Sequence, residues 1–361
     1  MKKSKIDSVN RFLKVYTRFF GNMKHIAGLN AKLEFSSIVI YSSTALGDLM
    51  FNTPAIHALK QRYPNARFTL VSSEKNRQLV AGSDYFDEVI YWDNKVKNIF
   101  SLVCRLRKMK PELSVILHSY IPYDVLSAVL SGSQYIIRDN YNCDGDYMNQ
   151  WVYCHQGSYE GHLIQRKLDL LQVLGCDNRD THMRIPVRFN ALPAITNKTL
   201  IGFQMGASEE QRCWPRESFV GLARKLFALG EQYHIVLIGS GKEKELERQF
   251  LAALSPEEQQ RVTSYIGKTT LLQLLAIIEQ LDVLITGDTG PLHLAVALQT
   301  RTVSLFYTAN PRHTGPYQDP ELHRILYINP DDKDKAPRDP RFPLSVIEVD
   351  QVYGLLREML L

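Results

Sequence analysis

Three short loops hold most of the residues whose types and spacing could do chemistry. The segment Ser43-Thr44-Ala45-Leu46-Gly47-Asp48 puts a carboxylate next to a glycine at the start of an amphipathic stretch. Gly47 allows close backbone approach or a positive φ, while Asp48 suits either a general base at a ligand site or a cap on the following helix. Residues 206–217 offer the N–H groups of a Gly-Ala-Ser turn, the Ser208 hydroxyl and the guanidinium forks of Arg212 and Arg216. Those are the parts of a phosphate site, and a surface loop anchored by Trp214 is the plainer alternative. In residues 286–293, Gly287 and Gly290 bracket Asp288 and Thr289, and Pro291 stands where a helix can begin, ahead of His293. Free N–H groups at such a helix start suit a diphosphate, although the same residues also make a polar cap without ligand.

Two further loops carry weaker signals. Gly239-Ser240-Gly241-Lys242-Glu243 sets a carboxylate where a ribose could sit, but many α/β domains end strands in Gly-Ser-Gly. Residues 307–317 combine Gly, Pro and aromatics, as a wall against a base or sugar would, or an ordered turn. The dinucleotide fingerprint GxGxxG is absent, which argues against an NAD enzyme.

Each loop follows an apolar run that reads as a strand. The first series has strands at 36–42 (SSIVIYS), 67–72, 88–92, 113–118 (LSVILH) and 135–138, with helices over 49–63, 98–109 and 123–130. The second has strands at 199–205 (TLIGFQM), 233–239 (YHIVLIG), 281–286 (LDVLIT) and 302–307 (TVSLFY), separated by helices over 217–229, 243–254, 271–280 and 293–298. Such alternation makes right-handed βαβ units and a mostly parallel sheet covered on both faces. The predicted fold class is therefore α/β, two Rossmann-like domains whose sheets face across a cleft and bind ligands at their carboxyl ends. Predicted boundaries are an arm over 1–34, a first domain over 35–185, a linker over 186–198, a second domain over 199–345 and a C-terminal helix over 346–361.

Composition agrees with two soluble domains: 361 residues, 45% hydrophobic and 22% charged, exclude a disordered, collagenous or disulfide-framework chain. The net charge of +5 is unevenly placed, with +7 in residues 1–32 and −2 in the rest, so a nucleic-acid partner is not expected. Five widely spaced cysteines, Cys104, Cys143, Cys154, Cys176 and Cys213, have no CxxC pair and read as reduced thiols without metal. No signal-peptide core and no run of 18 apolar residues is present, which predicts a cytoplasmic protein.

Taken in order, these loops resemble glycosyltransferase family 9, the ADP-heptose:lipopolysaccharide heptosyltransferases. The likeness runs from about residue 36 to residue 327 and rests on ALGDLMFNTPAIHALK at 45–60, RCWPRESFVGLA at 212–223 and GDTGPLHLAVAL at 287–298, with HLIQRKLDLLQVLG at 162–175 in support. The resemblance implies a GT-B fold, an inverting mechanism, no essential metal, and no cofactor, the ADP-sugar being a co-substrate. It matches Asp48 to the family's catalytic aspartate and Arg212 to a basic residue, often Lys, that contacts the donor diphosphate. Asp288, Thr289, Gly290, Pro291, Leu292 and His293 match its diphosphate-binding Asp-x-Gly-x-x-His segment, and Glu243 or Glu245 its ribose-binding glutamate. The implied reaction moves heptose from ADP-L-glycero-D-manno-heptose to the inner core of lipopolysaccharide. The implied partners are thus a nucleotide-sugar donor and an anionic lipid-linked saccharide acceptor. A UDP-hexosamine transferase or a non-catalytic nucleotide-binding protein would share the fold. For the acceptor, Gly47, His118, Arg138, Lys60 and Arg62 are candidate contacts.

The basic arm is amphipathic. A helical wheel puts Val9, Phe12, Leu13, Tyr16 and Phe20 on one face and Arg11, Lys14 and Arg18 opposite, for about three turns before Gly21, with Lys24 beyond. Its apolar face either docks on the protein itself, near the C-terminal helix at 352–361, or rests on the anionic inner leaflet as a peripheral membrane contact.

Overall fold

The structure is a computed structural model and describes residues 2–20, 23, 26–139, 148–155, 159–332 and 341–360; Gly21, Lys24 and Cys143 lie outside them. The chain divides into two compact units, Met1–Val187 and Arg188–Leu361.

The first unit is built on five parallel strands, β1 (Ser37–Ser42), β2 (Arg67–Ser72), β3 (Glu88–Tyr91), β4 (Leu113–His118) and β5 (Tyr135–Arg138), in the order β3-β2-β1-β4-β5. Its helices are α1 (Lys2–Phe19), α2 (Leu46–Arg62), α3 (Arg77–Val80), α4 (Ile99–Met109), α5 (Tyr123–Ser131) and α6 (Leu163–Leu171). β1 is buried along its whole length, as a central strand covered on both faces must be, which is why SIVIYS shows no alternation. Strand order reverses between β1 and β4, the switch point where open α/β sheets bind ligands.

Helix α2 begins at Leu46, three residues before the predicted start, so Gly47 and Asp48 lie in its first turn. Gly47 is helical and has no positive φ, contrary to one of the two roles expected for it. α2 is buried from Leu49 to Leu59 except at half-buried His57, and tolerates Pro54 in its interior. The Met50 carbonyl, deprived by Pro54 of its usual donor, accepts instead from Thr53 Oγ1 at 2.8 Å.

The second unit has six parallel strands, β6 (Thr199–Phe203), β7 (Tyr233–Leu237), β8 (Val262–Ser264), β9 (Val283–Gly287), β10 (Thr302–Phe306) and β11 (His323–Tyr327), ordered β11-β10-β9-β6-β7-β8. Its switch point falls between β6 and β9. β8 and β11 are additions to the predicted series. Both are edge strands, only partly buried, and so lack the apolar run that marks the central ones. The helices are α7 (Arg216–Leu229), α8 (Lys244–Ala252), α9 (Pro256–Gln259), α10 (Leu271–Ile278), α11 (Gly290–Ala297), α12 (Pro311–Thr314) and α13 (Val349–Leu360). α13 seals the core against α7 through Val352, Leu356 and Met359.

The arm forms five turns of helix and not three, and it docks on its own unit. Ile6 and Leu13 are fully buried against a core that includes Val125 and Val129 of α5 and Leu106 of α4. Asn10 accepts from Trp151 Nε1 at 3.2 Å, and the Tyr16 hydroxyl accepts from Arg107 at 3.1 Å. Two expectations are corrected here. The docking surface is not the C-terminal helix, and Phe12 and Phe20, placed on the wheel with Leu13, are exposed. The buried stripe is instead Ile6, Val9 and Leu13.

Candidate functional site

In the first unit the loop after β1 is clamped from several sides. Asn76 Nδ2 donates to the Thr44 carbonyl at 3.2 Å, and Asn94 Nδ2 donates to the Ser43 carbonyl at 2.8 Å. The Ser43 hydroxyl in turn donates to Asn94 Oδ1 at 2.8 Å, and Asn52 Nδ2 to Ser42 Oγ at 2.8 Å. On this rigid base α2 starts with Ala45 as its cap, and the Asp48 Oδ2 atom accepts from the Ala45 N–H at 3.1 Å. Asp48 is therefore not the N-cap expected as the plainer alternative; it is the third residue of the helix and reaches back to the amide of the cap, Ala45. That bond occupies Oδ2; Oδ1 faces His118, whose Nδ1 is 3.3 Å away.

His118 reaches Asp48 because the β1–β4 register slips by one residue between Tyr41 and Ser42, pairing Ser42 with His118 itself. Burial lowers the His118 pKa; Asp48 and Asp139 pull it up, Lys167 and Arg138 push it down, and the net shift is downward. The imidazole is thus neutral at pH 7. Behind it, the buried carboxylate of Asp139 lies 2.6 Å from Lys167 Nζ and 2.6 Å from Arg166 Nε. Burial alone would raise the Asp139 pKa, but the two cations outweigh it and hold the group below its ordinary range. Neither Lys167 nor Arg166 stands out by residue type in the sequence; both belong to the HLIQRKLDLL stretch, and α6 turns them inward.

A cavity of about 800 Å³ opens beside the cap of α2, lined by Ser43, Ala45, Lys75, Trp92, Arg105 and Tyr120 among others. Aromatic faces and hydroxyls line it together with charges of both signs, Lys75, Lys95 and Arg105 beside Glu74 and Asp93. The other expected acceptor contacts are placed differently. Arg138 pairs with buried Asp124 at 3.1 Å. Lys60 and Arg62 are in the last turn of α2, roughly 18–21 Å along the axis from Asp48 at 1.5 Å per residue. Lys60 lies over the Phe68 ring, and Arg62 pairs with Glu34 at 2.8 Å and holds the carbonyls of Ala31 and Leu33, so both serve the opposite end of the sheet.

In the second unit, the loops after β6 and β9 meet at the switch point. Gln204 joins them: its Oε1 accepts from Thr286 Oγ1 at 2.7 Å and Thr289 Oγ1 at 3.0 Å, while its amide donates to the Gly206 carbonyl. Gln204 gives no signal in the sequence because it ends a strand as an ordinary polar residue. Arg212 crosses to the second loop, with Nη1 at 3.5 Å from Asp288 Oδ2 and 3.4 Å from the Asp288 carbonyl. Gly287 makes that crossing possible, since a Cβ there would run into the Arg212 carbonyl oxygen. Asp288 is buried, which raises its pKa against the pull of Arg212, and its Oδ1 stands 3.8 Å from His293 Nε2. Thr289 caps α11, with Gly290 and Pro291 in its first turn, so the helix begins three residues before the predicted start.

The remaining candidates separate cleanly. Arg216 opens α7 and turns to Gln249 at 2.7 Å and to Glu217, not toward Asp288. Ser208 is exposed on its loop. Glu243 packs across Gly206, where a Cβ would collide with its side chain, and accepts from Ser240 Oγ at 2.6 Å. Glu245 is occupied within α8 by Arg248 at 2.6 Å and by Gln249 at 2.7 Å, which depresses its pKa to about 2. Trp214 does anchor its loop, buried with Nε1 donating to the Ile347 carbonyl at 3.0 Å. The loop after β10 is an ordered turn, with Asn310 capping α12. Among the described residues, no group of three or more His, Cys, Asp and Glu side chains could hold a metal ion. No helix among them is long and apolar enough to cross a membrane.

Two consecutive Rossmann-like units, each gathering polar loops at its switch point, have the build of a GT-B glycosyltransferase. Residues 152–338 match the profile of glycosyltransferase family 9 (heptosyltransferase), and the chain belongs to that family. It is 25% identical over 297 residues to a lipooligosaccharide heptosyltransferase 2 of Campylobacter jejuni, an alignment covering 81% of this chain and 87% of that one. Among solved structures it resembles a family 9 glycosyl transferase from Veillonella parvula, with TM-score 0.74, 22% identity and coverage of 94% of this chain and 99% of the other. It also resembles an Escherichia coli ADP-heptose lipopolysaccharide heptosyltransferase II, with TM-score 0.71, 20% identity and coverage of 90% and 98%.

Proposed function

We propose that this glycosyltransferase moves heptose from ADP-L-glycero-D-manno-heptose to the inner core of lipopolysaccharide, with inversion and without a metal ion. The observation that carries the reading is the pair of built sites: Asp48 held between a helix cap and His118, and Arg212 hooked over Gly287 to Asp288. The names of the relatives, a lipooligosaccharide heptosyltransferase 2 and an ADP-heptose lipopolysaccharide heptosyltransferase II, support an ADP-heptose donor and a lipopolysaccharide acceptor. Incubation with ADP-heptose, ADP-glucose and UDP-GlcNAc plus truncated lipopolysaccharide acceptors, with and without EDTA, tests it by mass analysis of the glycolipid. Product with ADP-heptose alone, unaffected by EDTA, is expected; success of a UDP sugar with failure of ADP-heptose overturns the donor assignment.

In the proposed step the acceptor hydroxyl gives its proton to Asp48 as its oxygen bonds to the anomeric carbon. The bond from that carbon to the β-phosphate oxygen breaks on the opposite face, and its electron pair leaves with ADP. Arg212 and the N–H groups at the start of α11 receive that charge, Glu243 holds the ribose, and Asp288 orients Arg212. No cofactor enters this scheme, since the nucleotide sugar is itself consumed. Arg212→Ala is expected to lower kcat by about 10²–10³-fold, with Arg212→Lys retaining more activity through its point charge. Steady-state kinetics check this, and an Ala variant within threefold or so of wild type would remove Arg212 from the step.

His118 acts here as a positioning residue. It faces Asp48 on α2, Asp139 and Arg138 at β5 and Lys167 on α6, and burial depresses its pKa, so it stays neutral until the pH falls below the ordinary histidine value. Protonation then sets an imidazolium beside Asp48 and weakens the base, so activity falls on the acid side. His118→Gln, which keeps a hydrogen-bonding side chain without a titration, is expected to stay within about tenfold of wild type at pH 8 and to lose one ionisation from the acid limb of kcat/KM. An unchanged limb refutes the coupling.

A further inference from the structure

Helix α1 carries two apolar stripes and buries only one. Ile6, Val9 and Leu13 pack into the first unit. Phe12, Val15 and Phe19, spaced i, i+3 and i+7, form a second stripe that is 49%, 62% and 67% exposed, and Phe20 at its end is 74% exposed. The aromatic rings are in register along the helix, Phe12 5.9 Å from Tyr16 and Tyr16 5.9 Å from Phe20. At about 100° per residue Lys5 falls at one edge of this stripe and Arg11 and Arg18 at the other, with Lys14 farther round the helix, all exposed. Residues 1–32 contain one acid, Asp7, against eight Lys and Arg, while the rest of the chain carries a net −2.

We propose that this second face of α1 binds an anionic lipid bilayer, lying flat on it with the Phe12–Phe19 row among the acyl chains and the basic residues at the headgroups. The docked stripe fixes the helix to the first unit, so the exposed stripe is presented as a preformed surface and no folding has to accompany binding. Long Lys and Arg stems let the charges reach the headgroups while their methylenes stay with the apolar row. Charge decides among occupants. A second copy of α1 would bring two basic rows together, and a nucleic acid would leave the phenylalanines in water; an anionic bilayer satisfies both features. The near-neutral body adds no attraction of its own, so binding depends on α1. This inference rests on the helix alone and is independent of the donor and acceptor reading, but it would hold the enzyme where a lipid-linked acceptor lies.

The test uses the full chain in vesicle co-sedimentation, comparing phosphatidylglycerol-rich with phosphatidylcholine vesicles between about 50 and 500 mM salt. Partitioning onto the anionic vesicles is expected to be at least about tenfold stronger and to weaken with salt. Two variants on exposed positions, Phe12→Ser with Phe19→Ser and Arg11→Glu with Lys14→Glu and Arg18→Glu, should each lose about tenfold or more of that binding. Both should keep the wild-type melting temperature and wild-type transfer to a soluble, lipid-free acceptor. Equal binding to both vesicle types, or variants that bind as wild type does, overturns the proposal. So does a dimer in sedimentation velocity that the Phe variants dissolve while wild type ignores vesicles, since it would assign the face to self-association.

Discussion

Asp48→Asn is expected to lower kcat by about 10²–10⁴-fold while nucleotide affinity stays near wild type. The amide can still accept from the Ala45 N–H through its oxygen, so the first turn of α2 keeps its cap, and the side chain keeps its volume. What disappears is the ability to take a proton. If Asp48 were only a cap, the same substitution would change stability slightly and activity hardly at all. Transfer assays together with ADP titration by calorimetry distinguish the two. An Asn variant with wild-type turnover would overturn the base assignment, and one that also lost ADP binding would point to misfolding.

Lys167→Met is expected to destabilise the first unit by roughly 3–5 kcal/mol, the scale for removing one partner of a buried charge pair. Lys167 Nζ and Asp139 are fully buried and 2.6 Å apart, with Arg166 the other cation on the same carboxylate. Without the ammonium, Asp139 keeps its desolvation cost and loses its largest compensation. The linkage sign is fixed by the direction of the shift. Asp139 titrates below the ordinary aspartate range in the folded protein, so its stabilisation is present above the unfolded value and is lost as pH falls through the folded one. Urea melts at pH 7 should show the loss, and Asp139→Asn in the Lys167→Met background should recover part of it by removing the stranded charge. A single variant as stable as wild type would show that the cluster is solvated in solution. Because Lys167 also pushes the His118 pKa down, its removal should carry the acid limb of activity to higher pH.

Several parts of this site are legible in residue types and order alone. The loops 43–48, 206–212 and 286–293 follow strongly apolar strands, and glycine, proline and carboxylate in those positions have few structural uses. Other parts are not. In the sequence His118 is only a histidine at a strand end, a candidate for the acceptor; it becomes Asp48's neighbour through a register slip that no pattern of residue types announces. Lys60 and Arg62 look equivalent to any other cation near the Asp48 loop, yet α2 carries them to the far end of the sheet. Edge strands β8 and β11 escape the periodicity because half-exposed strands lack the continuous apolar signal of buried ones. In the arm the helical period is visible, but the wheel merges two apolar stripes into one face. Only the packing partner separates Leu13, which is buried, from Phe12, which is not.

By itself, then, the sequence determined the local matters: which segments are strands and helices, which loops are rich in anion-binding groups, and where the charge sits. Those properties depend on residues within a few positions of each other, and periodicity reports them directly. Tertiary structure decided the rest. The orders β3-β2-β1-β4-β5 and β11-β10-β9-β6-β7-β8 bring the end of β4 to the loop after β1, and the loop after β9 to that after β6. Strand adjacency is settled by how helices cross over and cover the sheet, a property of the whole packed unit, so the partners of Asp48 and Arg212 emerge only when each unit is assembled.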